Sequence, residues 1–231
     1  DRTRPKSGPF RTIDNELFGQ VFFDSGNELQ TVNLRVIPVE FTTPLGDGFD
    51  IRYRIQYEDV RPTDRPIPNF AVPVGSYHFN SIGARAFTSR NRPIRVEAEV
   101  WWGQFFDGTR TAVDLDFEFR PSHYLFFELE YEFQDIKLPG RHNLLAGDPE
   151  REDRQTQLVR FKLDLMFTPN MIWSNFIQYD NRSDSAGLNS RFRYILRDGR
   201  EFFVVFNQGV DTSTNDLDRT RSETIVKGIW T

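Results

Sequence analysis

The stretch Thr109–Tyr131, TRTAVDLDFEFRPSHYLFFELEY, decides the fold of this chain. Apolar and charged side chains alternate strictly on either side of Pro121-Ser122. Successive side chains of a β-strand point to opposite faces, so a period of two predicts a sheet with one apolar and one polar face. The short Pro-Ser break predicts that the two halves form a hairpin.

The apolar positions of this hairpin, together with two from a later strand, form the predicted lipid- or core-facing surface. Asp, Glu, Arg and Lys occupy most of the positions between them, so the opposite face is charged. The predicted lipid- or core-facing residues are Val113, Leu115, Phe117, Phe119, Leu125, Phe127, Leu129, Phe161 and Leu163.

Composition excludes several classes of protein. The 231 residues contain no cysteine, which excludes disulfides, thiolate catalysis and Cys-ligated metals. The net charge of −5 is small and mixed in sign, so nothing electrostatic points to nucleic acid. Phe occurs 23 times, and rings spread over alternating strands are typical of a sheet surface or a lipid interface. No apolar run approaches the ~18 residues of a spanning helix, but a β-barrel has no such run either.

The same alternation predicts about twelve strands and no helix. Residues 1–14 are predicted to be an irregular lead-in, and residues 15–231 a single antiparallel β domain. Beside the two strands of the hairpin, the approximate strands are Glu16–Phe23, Glu28–Thr43, Phe49–Glu58, Gly75–Ser89, Ile94–Trp102, Thr156–Phe167, Met171–Asp180, Leu188–Leu196, Glu201–Asn207 and Thr220–Thr231.

The lengths of the connections favour one architecture. Long loops follow the third, seventh and eleventh predicted strands, whereas the connections after even-numbered strands are short. In an antiparallel meander, odd- and even-numbered connections lie at opposite ends, so all the long loops fall at one end. Outer-membrane barrels have this asymmetry, with short periplasmic turns and long outer loops. We therefore predict an antiparallel meander that forms an outer-membrane-type β-barrel or a partial barrel.

Alternation alone leaves open which face is inside. In a soluble sheet or β-sandwich the apolar face packs inward and the charged face meets water. In a membrane barrel the apolar face meets lipid and the polar face lines the interior. The alternatives to a barrel are therefore an open or curved antiparallel sheet and a β-sandwich.

Several segments resemble one known family. They are GSYHFNSIGARAFTSRNRPI (75–94), GQFFDGTR (103–110), DIKLPG (135–140), FIQYDNRSDSAGLNSRFRY (176–194) and DGREFFVVFNQ (198–208). They are similar to the C-terminal region of the DUF5916 family of bacterial envelope proteins. That family carries an N-terminal carbohydrate-binding-like module before a large β-rich region of outer-membrane-barrel type. The resemblance covers about residues 30–230 and implies an outer-membrane location in a Gram-negative cell.

The chain departs from that family in two ways. It has no binding-like module, and it is shorter than the family's β-rich region. Because it begins Asp1-Arg2-Thr3, we expect a processed or truncated product, either a C-terminal fragment or a shortened paralogue. The family has no established reaction, so the resemblance implies no catalytic residue and no cofactor.

Three functional hypotheses follow. The first is a non-enzymatic outer-membrane β-barrel, or part of one, in contact with lipid and with a structural, transport or surface-assembly role. The second is a periplasmic β-sheet subunit docked on a larger membrane protein complex. The third and weakest is carbohydrate binding through Trp101 or Trp102 and the carboxylate rows. Since adjacent strand residues point to opposite faces, at most one of these two tryptophans forms a sugar platform.

One loop is a weak candidate for a metal site. Carboxylate and amide oxygens are the ligands that Ca²⁺ prefers. Asp and Asn are also the ordinary residues of loops. The candidate ligands are Asp211, Asn215, Asp216 and Asp218. We predict no other metal ligand, no cofactor and no catalytic residue.

Overall fold

The computed structural model describes residues 1–61, 72–138, 153–213 and 218–230. They form one antiparallel sheet in which every strand pairs with its neighbours in sequence. The strands are β1 (Arg2–Thr3), β2 (Thr12–Phe23), β3 (Leu29–Thr42), β4 (Gly48–Val60), β5 (Gly75–Phe87), β6 (Ile94–Phe105), β7 (Gly108–Ser122), β8 (Leu125–Lys137), β9 (Asp153–Thr168), β10 (Met171–Asp180), β11 (Ser185–Arg197), β12 (Arg200–Asp211) and β13 (Asp218–Trp230). The predicted antiparallel meander is confirmed, and β2–β13 correspond to the twelve predicted strands.

The order of strand pairing is linear, with β1 and β13 at its two ends. Among the described residues, β1 and β13 do not pair with each other. The sheet is therefore open rather than closed into a ring. The chain groups into two compact units. Unit 1 contains residues 1–89, 98–113 and 134–155, and unit 2 contains residues 90–97, 114–133 and 156–231.

The lead-in is more regular than expected. Arg2 and Thr3 form β1, which pairs with Asp14 and Ile13. The strand β2 begins at Thr12, earlier than its predicted start at Glu16. Arg2 Nε also donates a hydrogen bond to Asp14 Oδ1 at 2.7 Å. This backbone and side-chain pairing orders part of a segment that composition alone assigns to an irregular lead-in.

The turn of the central hairpin lies two residues later than predicted. The strand β7 continues through Pro121 to Ser122, and the turn consists of residues 123–124. Proline is tolerated there because the end of a strand does not need its missing N–H. The preceding turn, between β6 and β7, consists of Phe106 and Asp107. Phe106 has a φ of 53°, in the left-handed region.

Ile37 and Trp101 are buried within β3 and β6, but most other buried apolar residues of unit 1 lie near strand ends or in the adjacent connections. They surround the ring of Phe106, whose centroid is 5.2 Å from that of Phe79. The buried cluster consists of Val60, Val72, Phe79, Phe106, Ile136 and Leu138. The alternating apolar side chains along the strands therefore contribute little to this core.

The positions of the connections agree in part with the predicted asymmetry. Residues 62–71, 139–152 and 214–217 lie outside the described residues and follow β4, β8 and β12. The connections after β7, β9 and β11 are residues 123–124, 169–170 and 198–199. Alternate connections of a meander lie at one end, so these three two-residue turns share one end. The long connections after β4 and β8 share the other end, where the two-residue turn at residues 106–107 also lies.

Replacing Gly108 by Ala should destabilise the fold. A Cβ atom at this position would lie 2.0 Å from the Lys137 carbonyl oxygen, so the backbones of β7 and β8 would have to separate. Overpacking of this kind costs typically about 1–3 kcal/mol in the free energy of unfolding. Denaturant unfolding measures the change, and Gly187→Ala is the matched control. Its Cβ would meet only the Gln208 carbonyl oxygen, at 4.0 Å, so its stability should not fall. Equal stability of both variants would contradict the close approach at Gly108.

Candidate functional site: the two faces of the sheet

Charged and apolar residues of β4 have the reverse of the exposure expected in a soluble sheet. Asp50 is 0% exposed and Arg52 is 7% exposed, whereas Ile51, Tyr53 and Ile55 are 37%, 40% and 40% exposed. Apolar side chains normally fill a protein interior, and charged side chains are almost never fully buried unless they are paired. The face of β4 that carries Asp50 and Arg52, together with its neighbours in unit 1, is called the charged face. The opposite face is the apolar face.

The adjacent tryptophans of β6 show the same division. Trp101 is 4% exposed, and its ring packs against Gly83, where a Cβ atom would lie only 2.7 Å away. The guanidinium carbon of Arg54 lies 4.0 Å from the ring centroid of Trp101. Trp102, on the opposite face, is 62% exposed. Because Trp101 is covered by Arg54 and Gly83, only Trp102 presents its ring to the outside.

An ion-pair network holds the charged face of unit 1 together. Asp50 accepts hydrogen bonds from Arg52 Nε at 2.5 Å and from Arg85 Nε at 2.8 Å. Arg52 Nη1 also donates to Glu99 Oε2 at 2.7 Å, and Arg85 lies 3.6 Å from Glu40. Four strands, β3 to β6, contribute to this network. The two buried charges of this face, Asp50 and Arg52, are therefore compensated by opposite charges on the same or a neighbouring strand.

The charged face of unit 2 is the face that carries Arg95 and Arg160. On this face, each of these arginines lies between two carboxylates. Arg160 Nη1 donates to Glu130 at 3.0 Å and to Glu132 at 2.9 Å. Arg95 donates to Glu97 at 2.8 Å and also pairs with Glu118. The carboxylates of these strands are thus partly neutralised by arginines on the same or a neighbouring strand.

The predicted lipid- or core-facing residues lie along the apolar side of β7, β8 and β9, and none of the nine is fully buried. Three rings form a row across these strands. The centroids of Phe117 and Phe127 are 5.7 Å apart, and those of Phe127 and Phe161 are 5.1 Å apart. Leu115 and Leu129 are exposed. The half-buried members are Val113, Phe117, Phe119, Leu125, Phe127, Phe161 and Leu163.

Exposed aromatic residues collect at the short-turn end of unit 2, a feature that the sequence analysis missed. Tyr194 of β11 and Phe202 of β12 are partners across the sheet near the turn that joins these strands. The exposed aromatic residues at this end are Tyr124, Phe167, Trp173, Tyr194, Phe202 and Trp230. The signal in the sequence is an aromatic residue within a few positions of each short turn. Aromatic girdles of membrane barrels have this placement.

One ion pair joins two connections of unit 1 outside the strands. Arg61, which follows β4, donates from Nη1 to Asp24 Oδ2 at 2.5 Å. Asp24 lies in the turn between β2 and β3. The hydrogen bond from Arg61 holds the pKa of Asp24 below its ordinary value.

The candidate calcium loop is only partly within the described residues. Asp211 ends β12 and accepts a hydrogen bond from the Ser213 amide at 2.8 Å. Asp218 begins β13, and Asn215 and Asp216 lie outside the described residues. In the part of the chain that the structure describes, no cluster of three or more His, Asp and Glu residues is arranged to hold a metal ion. Calcium binding by this loop stays a prediction.

The comparisons with known proteins add little. No family model matches the chain. No curated protein matches it either. Among solved structures, the chain is similar to the CymD monoaromatic hydrocarbon channel, with a TM-score of 0.32 and 9% sequence identity over 97% of this chain and 78% of that chain. A similarity of this size is too weak to assign a function. Within the described residues, no helix is long and apolar enough to cross a membrane.

Replacing Asp50 by Asn should strongly destabilise the fold. The change removes the charge that Arg52 and Arg85 share, and breaking a buried ion pair from one side costs about 3–5 kcal/mol. The control is Glu223→Gln, which breaks the exposed pair of Glu223 with Arg221 and should cost about 0–1 kcal/mol. Denaturant unfolding of both variants measures the difference. Similar losses in the two variants would contradict a buried network that depends on Asp50.

Proposed function

We propose that this chain is a non-enzymatic membrane protein of the outer-membrane β-barrel type, or part of one. Its apolar face would contact lipid, and its charged face would line a polar interior. The observation that carries this proposal is the exposure of β4, where Asp50 and Arg52 are buried and Ile51, Tyr53 and Ile55 are exposed. Exposed apolar surface beyond scattered single residues marks a surface that meets lipid or a partner.

Two further features support a membrane surface. A tilted transmembrane strand needs about 9–11 residues, and the strands β2–β13 contain between 10 and 16 residues. The exposed aromatic residues at the short-turn end of unit 2 match a girdle at the boundary between lipid and water. Lipid would thus cover the apolar face along the strands, and the rings would mark where that coverage ends.

The role that fits these features is structural, transport or surface assembly in a bacterial outer membrane. The resemblance of residues 75–94 and 103–208 to the DUF5916 family supports the same location. The proposal assigns no catalytic residue, because the paired charges of the charged face already serve the fold. Lipid is the proposed partner of the apolar face, and the proposal includes no nucleic acid.

A second candidate function has its own observation. The strand β13 is an end strand in the pairing order, and an unpaired strand edge recruits another strand. The same chain could therefore be a periplasmic accessory subunit that docks on a larger membrane complex. In that case the exposed apolar face would be covered by protein instead of lipid.

Insertion into lipid separates the two candidates. The full chain is refolded with phospholipid vesicles, and the vesicles are floated through a density gradient at high salt and again in alkaline carbonate. We expect the folded chain to float under both conditions, because its apolar face is buried in lipid. The comparison is a variant with Ile51, Tyr53 and Ile55 replaced by Thr, a residue that suits strands but is less apolar, and this variant should float less.

Recovery of the wild-type chain as a soluble folded monomer without detergent would contradict a lipid-facing surface. Co-purification with a membrane complex after mild extraction, combined with failure to float alone, would favour the accessory subunit.

A further inference from the structure

We infer that the charged face of unit 2 carries, on β11–β13, a binding site for a small monocarboxylate with an apolar body. A groove of about 350 Å³ lies there, in the size range of small-molecule sites. Its apolar lining comes from Phe203, Val205, Ile225 and Ile229, and its cations are Arg191 and Lys227. This site lies outside both the ion-pair networks and the aromatic girdle described above.

Strand register brings these side chains together. Arg193, Phe203 and Lys227 are cross-strand partners on β11, β12 and β13. In the next row, Arg191 is the partner of Val205, and Val205 is the partner of Ile225. Cross-strand partners lie on the same face of a sheet, so the two rows place cations beside apolar side chains.

The cations of the groove and the neighbouring Arg193, which does not line it, differ in how they are compensated. Arg193 is neutralised by Glu201, whose two carboxylate oxygens lie 3.1 and 2.7 Å from its donors. Arg191 stacks on Phe203, with its guanidinium carbon 4.8 Å from the ring centroid. Among the described residues, neither Arg191 nor Lys227 has a hydrogen bond or an ion pair with a carboxylate. The N–H groups of these two cations are therefore available to hydrogen-bond an anion. The planar guanidinium of Arg191 matches the geometry of a carboxylate.

The apolar lining of the groove favours a ligand whose carboxylate is attached to an apolar group. Phe203 is 8% exposed and forms the floor beneath the cations. Val205, Ile225 and Ile229 replace the charged residues that occupy this face on β7 to β9. A free inorganic anion would leave these side chains uncovered, whereas an alkyl chain attached to the carboxylate would bury them. The groove therefore fits an amphipathic monocarboxylate better than phosphate or acetate.

Binding at this groove does not require a membrane. Ligand binding at the groove and the proposed insertion into lipid are therefore separate properties. The two can fail separately, because ligand binding is measured on the folded chain in detergent and lipid insertion is measured by flotation.

The test uses isothermal titration calorimetry with the full chain and three probes, which are hexanoate, hexanamide and acetate. Hexanamide keeps the apolar body without the charge, and acetate keeps the charge without the body. We expect hexanoate to bind at least about tenfold more tightly than either, because it alone satisfies both the charge-assisted contacts and the apolar lining. Equal affinity for hexanamide or for acetate would overturn the proposal.

Variants locate the site. The double variant Arg191→Gln with Lys227→Gln should lose at least about tenfold in hexanoate affinity, because both charge-assisted contacts go. Ile225→Thr should weaken hexanoate and leave acetate unchanged. The matched control is Lys162→Gln with Arg221→Gln, which removes the same charges from pairs with Asp164 and Glu223 on the same face. Unchanged hexanoate affinity in the first double variant, or an equal loss in the control, would overturn the assignment to this groove. Circular dichroism checks that each variant is folded.

Discussion

The buried carboxylate of Asp50 is the charge on which the charged face of unit 1 depends. A carboxylate removed from water is strongly unfavourable unless it is paired and hydrogen-bonded, and Asp50 meets this requirement through Arg52 and Arg85. Arg52 also donates a hydrogen bond to Glu99, which extends the network to β6. Because strict alternation places every second residue of β4 on this face, burial of the charges leaves the apolar residues between them exposed.

Not every charge of the sheet is used in this way. Arg52 and Arg160 each lie between two carboxylates and hold strands together. Arg191 and Lys227 have no such partner among the described residues, and they flank the apolar side chains of β12 and β13. The distribution separates charges that stabilise the sheet from charges that remain available to a ligand. This division is the physical basis for assigning a binding role to one part of the charged face only.

The sequence predicted the strands well because their alternation is local. It could not decide which face is buried, since the exposure of Asp50 and Ile51 depends on how neighbouring strands pack over them. The turn of the central hairpin was predicted two residues too early, at Pro121-Ser122, because strand pairing outweighs the local turn preference of that dipeptide. The binding groove was missed as well. Phe203 belongs to a run that is apolar on both faces, and such a run has no period of two to reveal a special site.

The orientation of the apolar face is the central claim, and spin labels on β4 test it most directly. The chain has no cysteine, so single labels can be placed by Ile55→Cys and Gln56→Cys, adjacent positions on opposite faces. In lipid vesicles, collision with oxygen reports lipid, and collision with a water-soluble nickel chelate reports water. If the apolar face meets lipid, the label at residue 55 collides mainly with oxygen and the label at residue 56 mainly with nickel. Strong nickel collisions at residue 55, or the reverse pattern at the two sites, would contradict this orientation.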